Sequence, residues 1–145
     1  IREEKIYSQN GEDGVINGLL TRYGGAEHKY YVEFGTERVA PGFGEINTRL
    51  LREQKGYTGL LMDGSFENLS VNLRKEIITA FNVNDLFAKY KVPLEFDLLS
   101  IDVNFDDYWV WQAIDSRYRP RVVITEFNSK LKLLSKMQMP PLKKT

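Results

Sequence analysis

Apolar residues along the chain fall into two patterns, short continuous runs and positions spaced three or four residues apart. Continuous runs are typical of strands buried on both faces of a sheet, whereas the wider spacing is typical of helices. The runs predict strands at residues 30–35, 58–64, 77–81, 96–103 and 121–127. Helical spacing predicts helices at residues 12–23, 47–55, 84–90 and 106–118. The polar segment at residues 67–75 is also predicted to be helical.

This alternation of strands and helices predicts an α/β fold. Strands that are joined through helices form βαβ units, and their strands run parallel. We therefore expect a doubly wound, mainly parallel sheet. No segment after the fifth predicted strand has a strand pattern, so the expected sheet lacks the last strands of larger folds of this kind. Residues 1–128 are predicted to form one α/β domain, and residues 129–145 a basic C-terminal tail with five lysines and no acidic residue.

The composition argues against several classes of function. The 20 basic residues are balanced by 20 acidic ones, whereas general nucleic-acid binders usually carry a basic excess. The chain has no cysteine, which excludes disulfides and zinc–thiolate sites. Its one histidine, His28, lies in a polar stretch and is expected at the surface, so a Ser-His-Asp hydrolase is disfavoured. No apolar run is long enough to predict a transmembrane helix.

Acidic residues recur where four of the five predicted strands end. Glu33 precedes Gly35 at the end of the first strand, and Asp63, Asp102 and Glu126 stand at the ends of three others. Ligands of open parallel sheets bind outside the carboxyl ends of the strands. These residues are therefore candidates for a binding site. The alternative is structural, because any one of these carboxylates could cap a helix or anchor a loop.

The candidate residues suit different chemical roles. A glycine such as Gly35 lets the backbone approach a ligand closely, and Asp63 could accept hydrogen bonds from ribose hydroxyls. Asp102 and Glu126 could position a substrate hydroxyl. With Asp106 they could instead share a divalent cation, since oxygen ligands suit magnesium or calcium.

Short motifs in a regular order resemble those of the FkbM-type methyltransferases. The resemblance covers residues 6–128, and the order and spacing of the motifs carry it more than any single one. The motifs are YSQNGED at residues 7–13, VEFG at 32–35, NT at 47–48, DG at 63–64, LSID at 99–102, RPRVV at 119–123 and EFN at 126–128.

The resemblance implies a class I methyltransferase fold with a Rossmann-like core, and S-adenosylmethionine as methyl donor. It also implies O-methylation of a small molecule or sugar as the reaction. By position, Glu33 and Gly35 would lie at the methionine part of the cofactor, Asp63 at the ribose, and Asn82 or the adjacent Val83 near the adenine. Asp102 would lie beside the transferring methyl group. The predicted cofactor-binding residues are Glu33, Gly35, Thr36, Asp63, Gly64 and Asn82.

Three functions remain open from the sequence. The first is a working methyltransferase in which Asp102 or Glu126 takes the proton of a small-molecule acceptor. The second is a catalytically inactive relative that serves as a binding or structural subunit. One reason is the turn after Gly35, where no second glycine follows closely. The other is the lack of the last strands, which leaves an edge of the sheet open to pairing in an oligomer or larger assembly. The third is another nucleotide-binding enzyme, although the chain lacks the GxGxxG and GxxxxGK[ST] motifs.

Overall fold

A computed structural model of the protein describes residues 1–23, 27–36, 46–103 and 106–126. The predicted basic tail, residues 129–145, lies outside the described residues. So do residues 37–45, which lie between the first predicted strand and the predicted helix at 47–55.

The described residues form five strands, four α-helices and one short 3-10 turn. The strands are β1 (Tyr30–Phe34), β2 (Thr58–Asp63), β3 (Leu73–Lys75), β4 (Glu95–Ile101) and β5 (Arg119–Thr125). The helices are α1 (Glu12–Arg22), α2 (Arg49–Gln54), α3 (Val83–Lys89) and α4 (Asp107–Ala113), with the 3-10 turn at Leu69–Val71. None of the helices in the described part of the chain has the length and apolar character needed to span a membrane.

All five strands run parallel in the order β3-β2-β1-β4-β5, which confirms the predicted α/β fold. The chain moves outward from β1 to β3, then returns to the other side of β1 and continues through β4 to β5. The direction of winding therefore reverses between β1 and β4. Such a reversal is called a topological switch point. It opens a crevice at the carboxyl ends of the two strands, where α/β proteins bind ligands.

Two apolar clusters cover the two faces of the sheet. Residues of β1 alternate between them, with Val32 and Phe34 in one cluster and Tyr31 in the other. The first cluster includes Phe87 of α3, whose ring packs 6.0 Å from the Phe34 ring, centroid to centroid. The second includes Ile16 of α1. Burial on both faces explains why the central strands are nearly continuous apolar runs.

The prediction of a helix at residues 67–75 is wrong. This segment contains the 3-10 turn and β3, because Asn72 adopts a left-handed conformation with φ of 56° and breaks any longer helix. Asn72 also donates a hydrogen bond from Nδ2 to the Gly59 carbonyl oxygen of β2, at 2.7 Å. This contact sets β3 beside β2.

The prediction of a strand at residues 77–81 is also wrong, since the third strand ends at Lys75. Two of the apolar residues that suggested a strand are exposed, with Ile77 72% and Phe81 52% accessible, whereas Ile78 packs in the core. The predicted helix at 106–118 is shorter than expected as well. It ends at Ala113 because Ile114 is extended.

A buried carboxylate ties three segments together at the amino edge of the sheet. Asp97 of β4 is fully buried and accepts hydrogen bonds from the backbone amides of Glu27, His28 and Lys29, at 3.2, 3.2 and 2.6 Å. Arg121 of β5 pairs with it at 3.3 Å. Asp97 therefore joins the turn into β1 to the two strands on the other side of the switch point. Nothing in the apolar run around it indicated this role.

Candidate functional site

The residues predicted at the strand ends lie in one row across the sheet. The register pairs Phe34 of β1 with Met62 of β2, and one residue further along the chain Gly35 stands beside Asp63. On its other side Gly35 stands beside Asp102, which follows the end of β4. Glu126, which follows β5, continues the row. Neighbouring strands are about 4.8 Å apart, so the row is short enough for one ligand to span it.

A cavity of about 360 Å³ opens at the switch point. The row contributes Gly35, Asp102 and Glu126 to its walls. Its size falls within the range of about 300–1,000 Å³ that is usual for small-molecule sites. Further lining residues come from inside β1, from the segment before α2 and from the N-terminal segment, and they are Glu33, Asn47, Gln9, Asn10 and Glu12.

Five of the predicted site residues do not line this cavity, and they are Thr36, Asp63, Gly64, Asn82 and Asp106. Asp63 belongs to the same row but lies on the β2 side of Gly35. Thr36 is buried next to Gly35, and its hydroxyl has no hydrogen-bond partner among the described residues. The structure therefore brings together Glu33, Gly35, Asp102 and Glu126 around the cavity and leaves the other five outside its lining.

Gly35 is required by the packing of β1 against the end of β4. Its φ is +74°, and a Cβ atom placed on it would lie 1.5 Å from the Asp102 carbonyl oxygen. An L-residue with a side chain would therefore be both strained and in collision at this position. The sequence predicted that a ligand approaches Gly35 closely, whereas the close contact in the structure is with the backbone of Asp102.

Glu33 anchors the segment that precedes α2. Its carboxylate accepts hydrogen bonds from the amides of Asn47 and Thr48, both at 3.0 Å, and from the Thr48 hydroxyl at 2.6 Å. The Asn47 side chain is thereby held in the cavity wall, where its Nδ2 donates to Ser100 Oγ at 3.2 Å. Burial raises the pKa of Glu33 to about 7, although these hydrogen bonds and nearby Arg52 oppose the rise.

We expect Glu33 to make the protein less stable as the pH rises from about 4.5 to about 7. In this interval the folded protein keeps a proton on Glu33 that the unfolded chain has already released. Deprotonation in the folded state therefore costs free energy, up to about 3 kcal/mol for a shift of this size. Urea unfolding at pH 5 and pH 8 should show a smaller loss of stability for Glu33→Gln than for the wild type. Equal losses in the two proteins would contradict this assignment.

The N-terminal segment forms one wall of the cavity because Asp13 holds it in place. Asp13 is 1% exposed, and its Oδ2 accepts hydrogen bonds from the amides of Ile6, Tyr7 and Ser8, at 2.9, 2.5 and 2.7 Å. In return the Asp13 amide donates to Ser8 Oγ at 3.0 Å. The sequence placed Asp13 in the predicted helix at 12–23 and in the motif at 7–13, without indicating this role. The serine five residues before an aspartate at the start of a helix is the signal that could have found this loop.

Glu12 contributes an ionised carboxylate to the same wall of the cavity. It accepts hydrogen bonds from the backbone amide of Asn10 at 2.8 Å and from the Asn10 side chain at 3.3 Å. Burial alone would raise the pKa of Glu12, but hydrogen bonds from its own amide and from Asn10 outweigh this effect and lower it. The residue therefore carries a negative charge at neutral pH.

Asp63 and Asn82 hold the loops that follow β2 and β3 through hydrogen bonds. Asp63 Oδ1 accepts hydrogen bonds from the amides of Ser65 and Phe66, at 2.6 and 3.1 Å. Asn82 accepts from the Thr79 amide and donates to the Ile77 carbonyl oxygen, both at 2.8 Å. Its side chain thus holds the loop before α3.

The described residues form no group of three or more His, Cys, Asp or Glu side chains able to hold a metal ion. Asp102 and Glu126 line the cavity, whereas Asp106 is buried at the start of α4, where its carbonyl oxygen accepts from the Val110 amide at 2.9 Å. The geometry therefore gives no support to the predicted cation site of Asp102, Asp106 and Glu126.

Comparisons of the chain with protein-family models, curated proteins and solved structures gave no match.

Proposed function

We propose that the protein is an S-adenosylmethionine-dependent methyltransferase that methylates a hydroxyl group of a small molecule or sugar. The observation that carries the proposal is the acidic cavity at the point where the winding of the parallel sheet reverses. Doubly wound sheets bind nucleotide-containing ligands at this point. The resemblance of the motifs to the FkbM-type methyltransferases supports the same assignment.

The charges around the cavity suit this cofactor. S-adenosylmethionine carries a sulfonium and an ammonium group, and the cavity offers the carboxylates of Glu12, Asp102 and Glu126. Gly35 and Asp102, side by side at the switch point, would lie at the methionine part and the methyl group. When bound, the cofactor supplies an electrophilic methyl group.

The loops that follow β2 and β3 carry groups that could bind a nucleoside. Asp63 Oδ1 is used by the loop amides, and the second oxygen of its carboxylate would accept hydrogen bonds from ribose hydroxyls. Exposed apolar side chains of Phe66, Ile77 and Phe81 lie on the two neighbouring loops. Such surfaces suit an adenine base, whose flat faces are apolar.

The chain's own groups would then align the acceptor and take its proton. Alignment in a confined site removes much of the entropic barrier to a displacement at carbon. Asp102 and Glu126 stand side by side at the ends of β4 and β5, where either carboxylate could accept the proton of a hydroxyl group.

Calorimetric titration with S-adenosylmethionine tests the proposal. We expect the wild-type protein to bind it, and Asp63→Asn to bind roughly tenfold more weakly, because a hydrogen bond to a charged group is lost. Glu67→Gln is a matched control, since Glu67 is an exposed acid on the same loop and should leave the affinity unchanged. A wild-type protein that binds no cofactor at millimolar concentration would contradict the proposal and favour an inactive relative.

A further inference from the structure

The dipeptide Asn-Gly occurs twice in the N-terminal part of the chain, in two different conformations. Asn10 and Gly11 lie in the segment before α1, whereas Asn17 and Gly18 lie inside that helix. An asparagine that is followed by glycine can lose ammonia spontaneously, because glycine has no side chain to keep its amide nitrogen away from the asparagine side chain. The protein therefore contains the same reactive pair in two settings that differ in conformation.

The reaction at Asn10 is a ring closure followed by hydrolysis. The Gly11 amide nitrogen gives up its proton to water and bonds to Asn10 Cγ, while the bond from Cγ to Nδ2 breaks. The electron pair of that bond stays on Nδ2, which takes up a proton and leaves as ammonia. Water then opens the cyclic imide. If the new bond to Cγ breaks, the product is aspartate. If the original peptide bond breaks, the product is isoaspartate, in which the main chain continues through the side chain.

The surroundings of Asn10 leave it open to this reaction. The residue is exposed, so water reaches it. The amide of Gly11, which is the nucleophile, donates no hydrogen bond among the described residues. The Asn10 side-chain amide donates to Glu12 at 3.3 Å in an exposed position, a long hydrogen bond that holds it only weakly. Both reacting groups can therefore move toward each other without a large loss of contacts.

Asn17 is held in a conformation that resists the same reaction. In an α-helix the amide of Gly18 donates to the carbonyl oxygen four residues earlier, which belongs to Gly14. Ring closure requires the backbone to rotate between Asn17 and Gly18, so this turn of α1 has to open first. If opening costs only the net contribution of a single hydrogen bond, the reactive fraction of Asn17 falls about tenfold.

We propose that the fold leaves Asn10 open to spontaneous deamidation while it protects Asn17, and that the reaction loosens the N-terminal wall of the cavity. Aspartate at this position places a second carboxylate beside Glu12, where an amide now donates to it. Isoaspartate adds a carbon atom to the main chain next to Gly11, whose carbonyl oxygen accepts from the amides of Glu4 and Gly14, both at 3.2 Å. The reaction needs only water and does not depend on the proposed methyltransferase activity.

Peptide mapping by mass spectrometry, after storage of the full chain at mildly alkaline pH, tests the site. Replacement of NH by O raises the mass of a peptide, and fragmentation assigns the change to Asn10 or to Asn17. In the folded protein Asn10 should be converted about tenfold faster than Asn17, and in urea the two rates should be similar. Equal rates in the folded protein overturn the proposal. So does a tenfold difference that persists in urea, because neighbouring residues and not the fold would then decide.

Hydrogen–deuterium exchange measures the effect on the N-terminal wall. After storage, the amides of residues 6–8, which Asp13 holds, should exchange several-fold faster than in fresh protein. Asn10→Gln is the matched control, because glutamine has to close a larger ring, and exchange in this variant should be the same before and after storage. Unchanged exchange of residues 6–8 in wild-type protein that carries the modification overturns the loosening of the wall.

Discussion

Replacing Asp97 by alanine should destabilise the protein by about 3–5 kcal/mol, which is the usual cost of removing one partner of a buried ion pair. The substitution leaves three backbone amides without their acceptor and Arg121 without its buried counter-ion. Each unsatisfied buried donor adds to the cost. Urea unfolding followed by far-ultraviolet circular dichroism would measure the change.

Glu95→Ala on the same strand is the matched control for this prediction. Glu95 also pairs with an arginine, Arg119, but both side chains are largely exposed. Exposed ion pairs contribute about 0–1 kcal/mol, so this variant should remain close to the wild type. Similar losses of stability for Asp97→Ala and Glu95→Ala would show that Asp97 does not hold the amino edge of the sheet together.

Gly35→Ala should have the second large effect, a loss of roughly 2–5 kcal/mol together with loss of ligand binding. The left-handed conformation costs about 1–2 kcal/mol once a Cβ is present, and relieving the collision with the Asp102 carbonyl oxygen costs a further 1–3 kcal/mol. Relief requires β1 and the end of β4 to separate, which would distort the cavity between them. Thermal unfolding and cofactor titration would measure the two consequences.

Gly64→Ala tests whether the effect belongs to Gly35 alone. Gly64 also follows a strand, next to Asp63, but its added Cβ would make only an ordinary contact with Ile77 Cγ1 at 3.6 Å. Its stability should change by no more than about 0.5 kcal/mol. If Gly35→Ala were as mild as Gly64→Ala, the close approach of the two strand ends would not be required for folding.

Local patterns predicted most of the fold. The strands at 30–35, 58–64, 96–103 and 121–127 were found because each is an apolar run that packs on both faces of the sheet. The third strand was missed because β3 is only three residues long and depends on the left-handed Asn72 and its bond to Gly59. An apolar run at 77–81 gave a false strand, although of its large apolar side chains only Ile78 is buried.

In the candidate site, too, the residues at the strand ends could be predicted from the sequence, whereas contacts between distant segments could not. A glycine or acid at the end of a strand is visible in the sequence, and the row of Gly35, Asp63, Asp102 and Glu126 follows from the parallel order of the strands. The N-terminal wall was missed, because its place beside the cavity depends on the Asp13 carboxylate that folds residues 6–8 over the start of α1.

The sequence by itself determined the class of fold and which residues stand at the carboxyl ends of the strands, because hydrophobic periodicity and strand ends are properties of neighbouring residues. Only the tertiary structure decided what each of these residues touches. Glu33 holds the segment before α2, and Gly35 leaves space for the Asp102 carbonyl oxygen. Asp97 joins the turn before β1 to β4. The physical reason is that hydrogen bonds and steric contacts between residues far apart in the chain depend on packing, which local composition does not encode.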